Sequence, residues 1–426
     1  MLLMKYLALA KCKLKSIWRF RGKSKASVLE LMIESEQRSA WEESGLQGRL
    51  YDAAYPFSGN YDPPEEVEND IASIIMMTGV AVGRPIVTKE PLTSVYQEKL
   101  TFPILVSCWD RLVYAGLISE KLRATVLIAT VPSGNLYPKV HFDDRSDNKA
   151  IIYNANLLFT LIAAASLLSK LCASPGAKRA ETVGCWVEGY SVARPVSSFL
   201  SHLEEISSFT SVLATLVRYG HPFVPGNKYL IGGTFVPRLV VDFYTFMLAH
   251  EIGHIQHGHS GPSSSTAGSG GTAFQEDEFL ADVEGFAHYA NATEHEFGGN
   301  FGSYVHVSFC FYIMGLIYRT VNYFQGNKDY AFWTPEQMWK LYFPRPETKQ
   351  YLHPLGRLQL LRGEVRKRAV SSSAELDKWD GFIHKFFDSL WRGILQNLVL
   401  HEQGSIHPIW AQLKIHHESC INQEGD

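Results

Sequence analysis

The sequence predicts an α+β fold, with a small β-sheet in its first half and a mostly helical C-terminal half. Three observations lead there. Short runs rich in β-branched residues cluster between residues 101 and 153. Helix-period patterns follow from residue 156 almost without a break. Apolar residues make up 46% of the 426 positions against 19% charged, enough to bury a large core in one large or two ordinary domains. A boundary near residue 100 is expected to separate an N-terminal region without an assigned role, 1–100, from a domain covering 101–426.

Taken in order, Met1 to Ala10 is apolar but broken by Lys5 and has no basic leader or cleavage site, so it reads as an amphipathic helix rather than a secretion signal. Residues 5–25 are locally basic, an arm suited to RNA or a membrane surface. The whole chain, at net charge −3, has no bias toward nucleic acid. The polar stretch 62–70 reads as exposed, and Ile71 to Val87 reads as a strand. The runs ILVSC (104–108), ATVLIATV (124–131) and KAIIY (149–153) are expected to build one sheet, with PSGN as a turn. An edge of such a sheet can align an extended peptide, although the sequence does not single out the strand.

Helices are expected at 156–173, 195–218, 236–256, 278–290, 303–325, 335–342, 354–368 and 373–400. Thr334-Pro335-Glu336 and Ser373 supply N-terminal caps. The Gly/Ser-rich stretch 258–273 reads as an inert linker, placed where a gate would sit. The apolar runs Asn156 to Leu168 and Val305 to Ile317 fall short of the roughly 20 residues a membrane span needs, and the second contains His306, so buried helices are expected and no transmembrane segment. The 6 cysteines form no C-x-x-C pair, which suits a reducing, cytoplasmic compartment. No internal repeat is visible, and nothing specifies an oligomeric state.

The chemistry concentrates in Ala249-His250-Glu251-Ile252-Gly253-His254. Positions i and i+4 of a helix lie on one face, so His250 and His254 offer two imidazole nitrogens to one ion. Glu251, about 100° further round, sits beside that ion as a general base for water. The flanking run, about 236–256, is apolar all round, as in a helix buried at a domain centre, where ionisable groups need partners. The second match to the first two letters, His295-Glu296-Phe297-Gly298-Gly299, has glycine at the fifth position and reads as loop.

A catalytic zinc site needs a third protein ligand. The pattern with a third histidine requires Gly at 257 and His at 260, where the sequence has His257 and Ser260. His257 and His259 read as solvated helix-end residues. The stronger candidate is Glu278, in Glu278-Phe279-Leu280-Ala281-Asp282. Glu278, Ala281, Asp282 and Gly285 share a helix face, so a ligand, a second carboxylate and two small residues point together. Asp282 can accept the outer ring N–H of a ligating histidine, and Gly253 opposite relieves the same close contact. The competing account is an acidic first turn at Glu276, Asp277 and Glu278.

AHEIGHIQHGH and EFLAD resemble the gluzincin metallopeptidases, most like the HtpX and CaaX-prenyl-protease type. The resemblance covers about 236–360. It implies a zincin-like fold and a zinc-dependent endopeptidase acting on protein or peptide, with His250, His254 and Glu278 as ligands, Glu251 as base and Asp282 behind the ligands. His353-Pro354-Leu355-Gly356-Arg357 is similar to a downstream element of those peptidases, which implies a transition-state role for His353 or Arg357. Tyr244 and Tyr289 are further candidates for stabilising an oxyanion. The membrane members carry long insertions between the zinc helix and the glutamate. Here only residues 255–277 intervene, which is more like the compact ImmA/IrrE and Lit types and leaves the subfamily open. A target-specific regulatory or phage-defence protease, and a noncatalytic zinc-binding scaffold, are the alternatives.

Overall fold

Val126–Val131 (β1), Lys139–Phe142 (β2) and Lys149–Asn154 (β3) form a three-stranded sheet in the order β1-β3-β2. The central strand β3 runs parallel to β1, pairing Val126 with Lys149 and Val131 with Asn154, and antiparallel to β2, pairing Lys139 with Ile152. Alternation sends Ala129, Val131, Ala150 and Ile152 to one face, where Leu29 and Ile33 of helix α1 (Val28–Glu43) cover them. Gln37 of α1 donates to the Thr130 carbonyl at 2.9 Å. The opposite face, with Val126, Ile128, Ile151 and Tyr153, joins the main core.

The structure is a computed structural model. It describes residues 28–43, 69, 71–76, 100–131, 138–143, 147–172, 203–219, 235–258, 271–297, 300–326, 353–368 and 373–402. Its remaining helices are α2 (Thr101–Tyr114), α3 (Glu120–Thr125), α4 (Leu157–Cys172), α5 (Leu203–Tyr219), α6 (Phe235–His257), α7 (Gly271–Phe297), α8 (Asn300–Phe324), α9 (Pro354–Arg368) and α10 (Ser373–Glu402). The described fold is therefore α+β, mostly helical, with one small mixed sheet.

Helix α6 lies at the centre, packed against α2, α4, α7 and α8. Its apolar circumference leaves no solvent face from Leu239 to His250, and Leu239, Val240, Val241, Phe243, Phe246 and Leu248 are all buried. One carboxylate, Asp242, ties three helices together. It accepts from Arg238 Nε at 3.1 and 3.0 Å, pairs with His306 Nδ1 of α8 at 2.6 Å, and stands 3.7 Å from Arg111 of α2. Burial opposes its ionisation, but Arg238, His306 and Arg111 hold its carboxyl well below the usual range.

Four sequence expectations are corrected. Residues 104–108 are not a strand but part of α2, almost wholly buried; a continuous apolar run fits a buried strand or a buried helix equally, and Pro103 is tolerated in a first helical turn. Residues 71–76, expected as strand, are helical and enter the main core through Ile71, Ala72, Ile74 and Ile75. Helix α7 begins at Gly271 and not near 278, so Glu276 to Glu278 are not a first turn, and it runs on through His295, Glu296 and Phe297, expected as loop. Helix α8 extends the apolar run expected to be too short for a span. Its Phe301–Phe324 stretch is long and apolar enough to cross a membrane, while 83% of its most apolar window is buried inside the structure. The strand β2 was not anticipated, because four residues including a lysine and a histidine carry almost no strand signal. The expectations for residues 1–27, 195–202, 259–270 and 335–342 lie outside the described residues.

Candidate metal centre

The centre forms where α6 and α7 cross at unusually short range. A Cβ on Gly285 would lie 2.8 Å from both the Cα and the N of His250, and one on Gly253 would lie 3.0 Å from the Cα of Ala281. Only glycine at these positions lets the two backbones meet so closely. The crossing sets Glu278 and Asp282, one turn apart on α7, against His250 and His254, one turn apart on α6.

Three donor groups converge as a result. His250 Nε2 and His254 Nε2 are 3.1 Å apart, His254 Nε2 is 3.4 Å from Glu278 Oε1, and His250 Nε2 is 3.6 Å from Glu278 Oε2. Ligands bonded at about 2.0–2.1 Å in a tetrahedron stand about 3.3 Å from one another. The observed spacing brackets that value. His250, His254 and Glu278 form a group that could hold a metal ion. His250 and Glu278 are buried, whereas the His254 side chain is 14% exposed, so the centre meets solvent on the His254 side.

Partners behind the ligands fix their state. His250 Nδ1 donates to Asp282 Oδ1 at 3.0 Å, which leaves Nε2 as the lone-pair nitrogen facing His254 and Glu278. Arg357 of α9 reaches across, donating to Asp282 through Nε at 2.8 Å and Nη2 at 2.6 Å, with Nη1 3.2 Å from Glu278 Oε2. Its guanidinium also lies 5.7 Å from the ring centroid of Phe311. Glu251 completes the cluster, 3.9 Å from His250 Nε2 and 5% exposed.

The charges constrain what the site can hold. Fully ionised, Glu251, Glu278 and Asp282 bring three negative charges against one positive charge from Arg357, leaving an excess equal to a divalent cation. Without an ion, protons make up the difference. Burial raises Glu251, with the charge of Glu278 adding to it against His250, His254 and Arg357. Burial opposes protonation of His254, but its hydrogen bond to Glu278 and the charges of Glu251 and Glu278 prevail and raise it. Burial likewise opposes ionisation of Glu278 and Asp282, yet Arg357 above all, then the histidines, hold both below their usual range. The donor set, its spacing and its charge therefore fit a divalent metal of the zinc type.

The other residues singled out in the sequence are placed as follows. His353 caps α9, its Nδ1 accepting from Leu355 N–H at 3.1 Å and its ring edge-on to Tyr318 at 4.7 Å. Burial, helped by Arg319, holds it well below its usual value, so it is a neutral ring. It is Arg357, one turn on, that touches the ligand residues. His257 pairs with Glu284 at 2.7 Å on the outer side of the crossing. Tyr289 packs on Phe246 and is close to Asp242, so it belongs to the Asp242 cluster, while Tyr244 is edge-on to Tyr153. His259 lies outside the described residues. Sequence reasoning missed Asp242; its i,i+4 spacing from Arg238 on α6 is a local signal, but His306 and Arg111 reach it only through the fold. No family model, curated protein or solved structure matches the chain.

Proposed function

We propose that the protein is a zinc-dependent endopeptidase of gluzincin type on a zincin-like fold, hydrolysing peptide bonds in a protein or peptide substrate. The observation that carries this reading is the near-tetrahedral convergence of His250, His254 and Glu278 beside a buried Glu251. Bound zinc would supply Lewis acidity, lowering the pKa of water and polarising a scissile carbonyl. Glu251 accepts the proton of the attacking water and returns it to the leaving nitrogen. Its carboxylate is suited to both transfers because burial raises it, bringing it nearer neutral pH than an exposed glutamate. Asp282 and Arg357 hold His250 and Glu278 in place, and Arg357 keeps positive charge beside the ligands. No role is required of His353 beyond capping α9. Of the sheet's two edges, β2 is the more exposed, and an extended substrate would add to it by main-chain hydrogen bonds.

Burial of His250, Glu251 and Glu278 favours a restricted target, as in a regulatory or phage-defence protease, over broad digestion. The test is metal content and turnover of the full-length protein. Near-stoichiometric zinc is expected in the wild type and in Glu251→Gln, with turnover lost in the latter, and little zinc in His254→Ala or Glu278→Ala. Zinc retained by Glu278→Ala would remove Glu278 from the ligand set. Turnover surviving in Glu251→Gln would remove Glu251 as the base, and zinc bound by a wild type that shows no turnover would leave the scaffold reading.

A further inference from the structure

Arg357 is the cation of the centre, and two kinds of contact hold it. Its edge forks onto Asp282 through Nε at 2.8 Å and Nη2 at 2.6 Å, and reaches Glu278 through Nη1 at 3.2 Å. Its face is turned to carbon. The guanidinium carbon lies over the Phe311 ring of α8, 5.7 Å from the centroid, inside the roughly 6 Å within which a ring quadrupole attracts a cation. Phe311 is 0% exposed and also packs on Phe246 of α6, with centroids 5.4 Å apart and planes at 59°.

One face of α8 makes this seat. Phe311, Gly315 and Tyr318 follow one another at helical spacing, and they meet Arg357, Leu355 and His353 in turn at the start of α9. Tyr318 is edge-on to His353 at 4.7 Å, and a Cβ on Gly315 would come 3.4 Å from Leu355 Cγ. The contact under the arginine differs in kind from those at its edge. Asp282 and Glu278 attract Arg357 with charge, whereas a dication held by His250, His254 and Glu278 would repel it and draw on the Glu278 carboxylate. The ring has no charge to lose to a metal, and its hold on a guanidinium is strongest where water is excluded.

We propose that Phe311 is a positioning residue for Arg357: the face of its ring keeps the guanidinium forked on Asp282 and beside Glu278, and so keeps His250 and Glu278 aimed at the metal position. This rests on the reading of His250, His254 and Glu278 as a zinc centre. The hold on Arg357 does not depend on that reading.

The test replaces Phe311 in the full-length protein by mono-, di- and trifluorinated phenylalanine, which drain the ring's negative face while leaving its shape nearly intact and its surface no less apolar. Urea unfolding of the zinc-free protein and competition for zinc with a chelating dye are the readouts. The unfolding constant should rise with each added fluorine, reaching on the order of tenfold for the trifluorinated ring, the scale of a desolvated cation–π contact. Zinc affinity should fall severalfold in the same order. The same series at Phe309, which packs on Trp379 and Phe387, should leave zinc affinity unchanged, and in Arg357→Met the stepwise rise at Phe311 should disappear. An unfolding constant that stays flat along the Phe311 series, or rises equally in Arg357→Met, overturns the proposal. A rise with zinc affinity unchanged overturns the positioning role. Wild-type protein that takes up no zinc overturns the reading of the centre instead, and the unfolding series still decides the hold on Arg357. Should Arg357→Met fail to fold, the two fluorinated series decide: zinc affinity falling at Phe311 alone supports the proposal, and falling equally at Phe309 overturns it.

Discussion

Replacing Gly285 by alanine tests whether the metal centre depends on how closely α6 and α7 approach. The new Cβ would sit 2.8 Å from His250 Cα, 2.8 Å from His250 N and 3.2 Å from Ala249 C, all backbone atoms that cannot rotate away. Carbon contacts settle at about 3.5–4.0 Å, so the helices must part by roughly 0.7–1 Å at this point. That shift would carry the 3.0 Å contact between His250 Nδ1 and Asp282 beyond hydrogen-bond length. Overpacking of this kind costs about 1–3 kcal/mol, offset in part by the helix propensity gained over glycine, roughly 1 kcal/mol. Loosening the partners behind a ligating histidine lowers metal affinity about 10–100-fold. Gly363, on the exposed side of α9 with no atom within 4 Å of its would-be Cβ, is the control. Gly363→Ala should stabilise by up to about 1 kcal/mol and leave zinc alone. Urea unfolding and competition with a chelating dye measure both quantities. Wild-type zinc affinity in Gly285→Ala would refute the argument from helix approach.

Arg357→Met should leave Asp282 and Glu278 as buried carboxylates without their cation, destabilising the zinc-free protein by about 3–5 kcal/mol in chemical unfolding, with zinc restoring part of it. Zinc uptake should release protons into a weakly buffered solution, because the ion replaces those held by His254 and Glu251, and affinity should rise with pH; uptake without proton release contradicts the charge argument. In the zinc-free protein the raised His254 contributes stability that is full below its ordinary 6.5 and lost as pH rises through its folded value. Glu278 and Asp282, being lowered, contribute above their ordinary 4.5 and 3.8, and that share is lost as pH falls through their folded values. Thermal melts across pH, with and without zinc, separate the two. Asp242→Asn should cost about 3–5 kcal/mol by removing the buried charge that Arg238, His306 and Arg111 share, while zinc binding survives; loss of zinc would mean the two clusters are not independent.

The candidate site was legible where local spacing dictates geometry. His250 and His254 meet because one helical turn separates them, and Glu278, Asp282 and Gly285 share a face for the same reason. Even the relief provided by Gly253 follows from a small residue between two ligands. What stayed hidden depends on contacts distant in the chain. Arg357 was visible only as part of a resembling fragment, and its reach to Asp282 exists because α9 packs on α7 and α8. The error at 104–108 has a different origin, since a five-residue run with four apolar members is too short to show a period, and the surrounding length that makes α2 a helix is mostly apolar.

Helix α1 belongs to the first hundred residues, yet it roofs the outer side of the sheet. A shortened protein starting at residue 101 would leave Ala129, Val131, Ala150 and Ile152 wet, along with an uncapped Thr130 carbonyl at the border strand. Bare, greasy ribbons of that sort stick to copies of themselves. Anyone trimming the chain to isolate the helical half should therefore keep Val28–Glu43 attached, or expect aggregates whose behaviour says nothing about zinc.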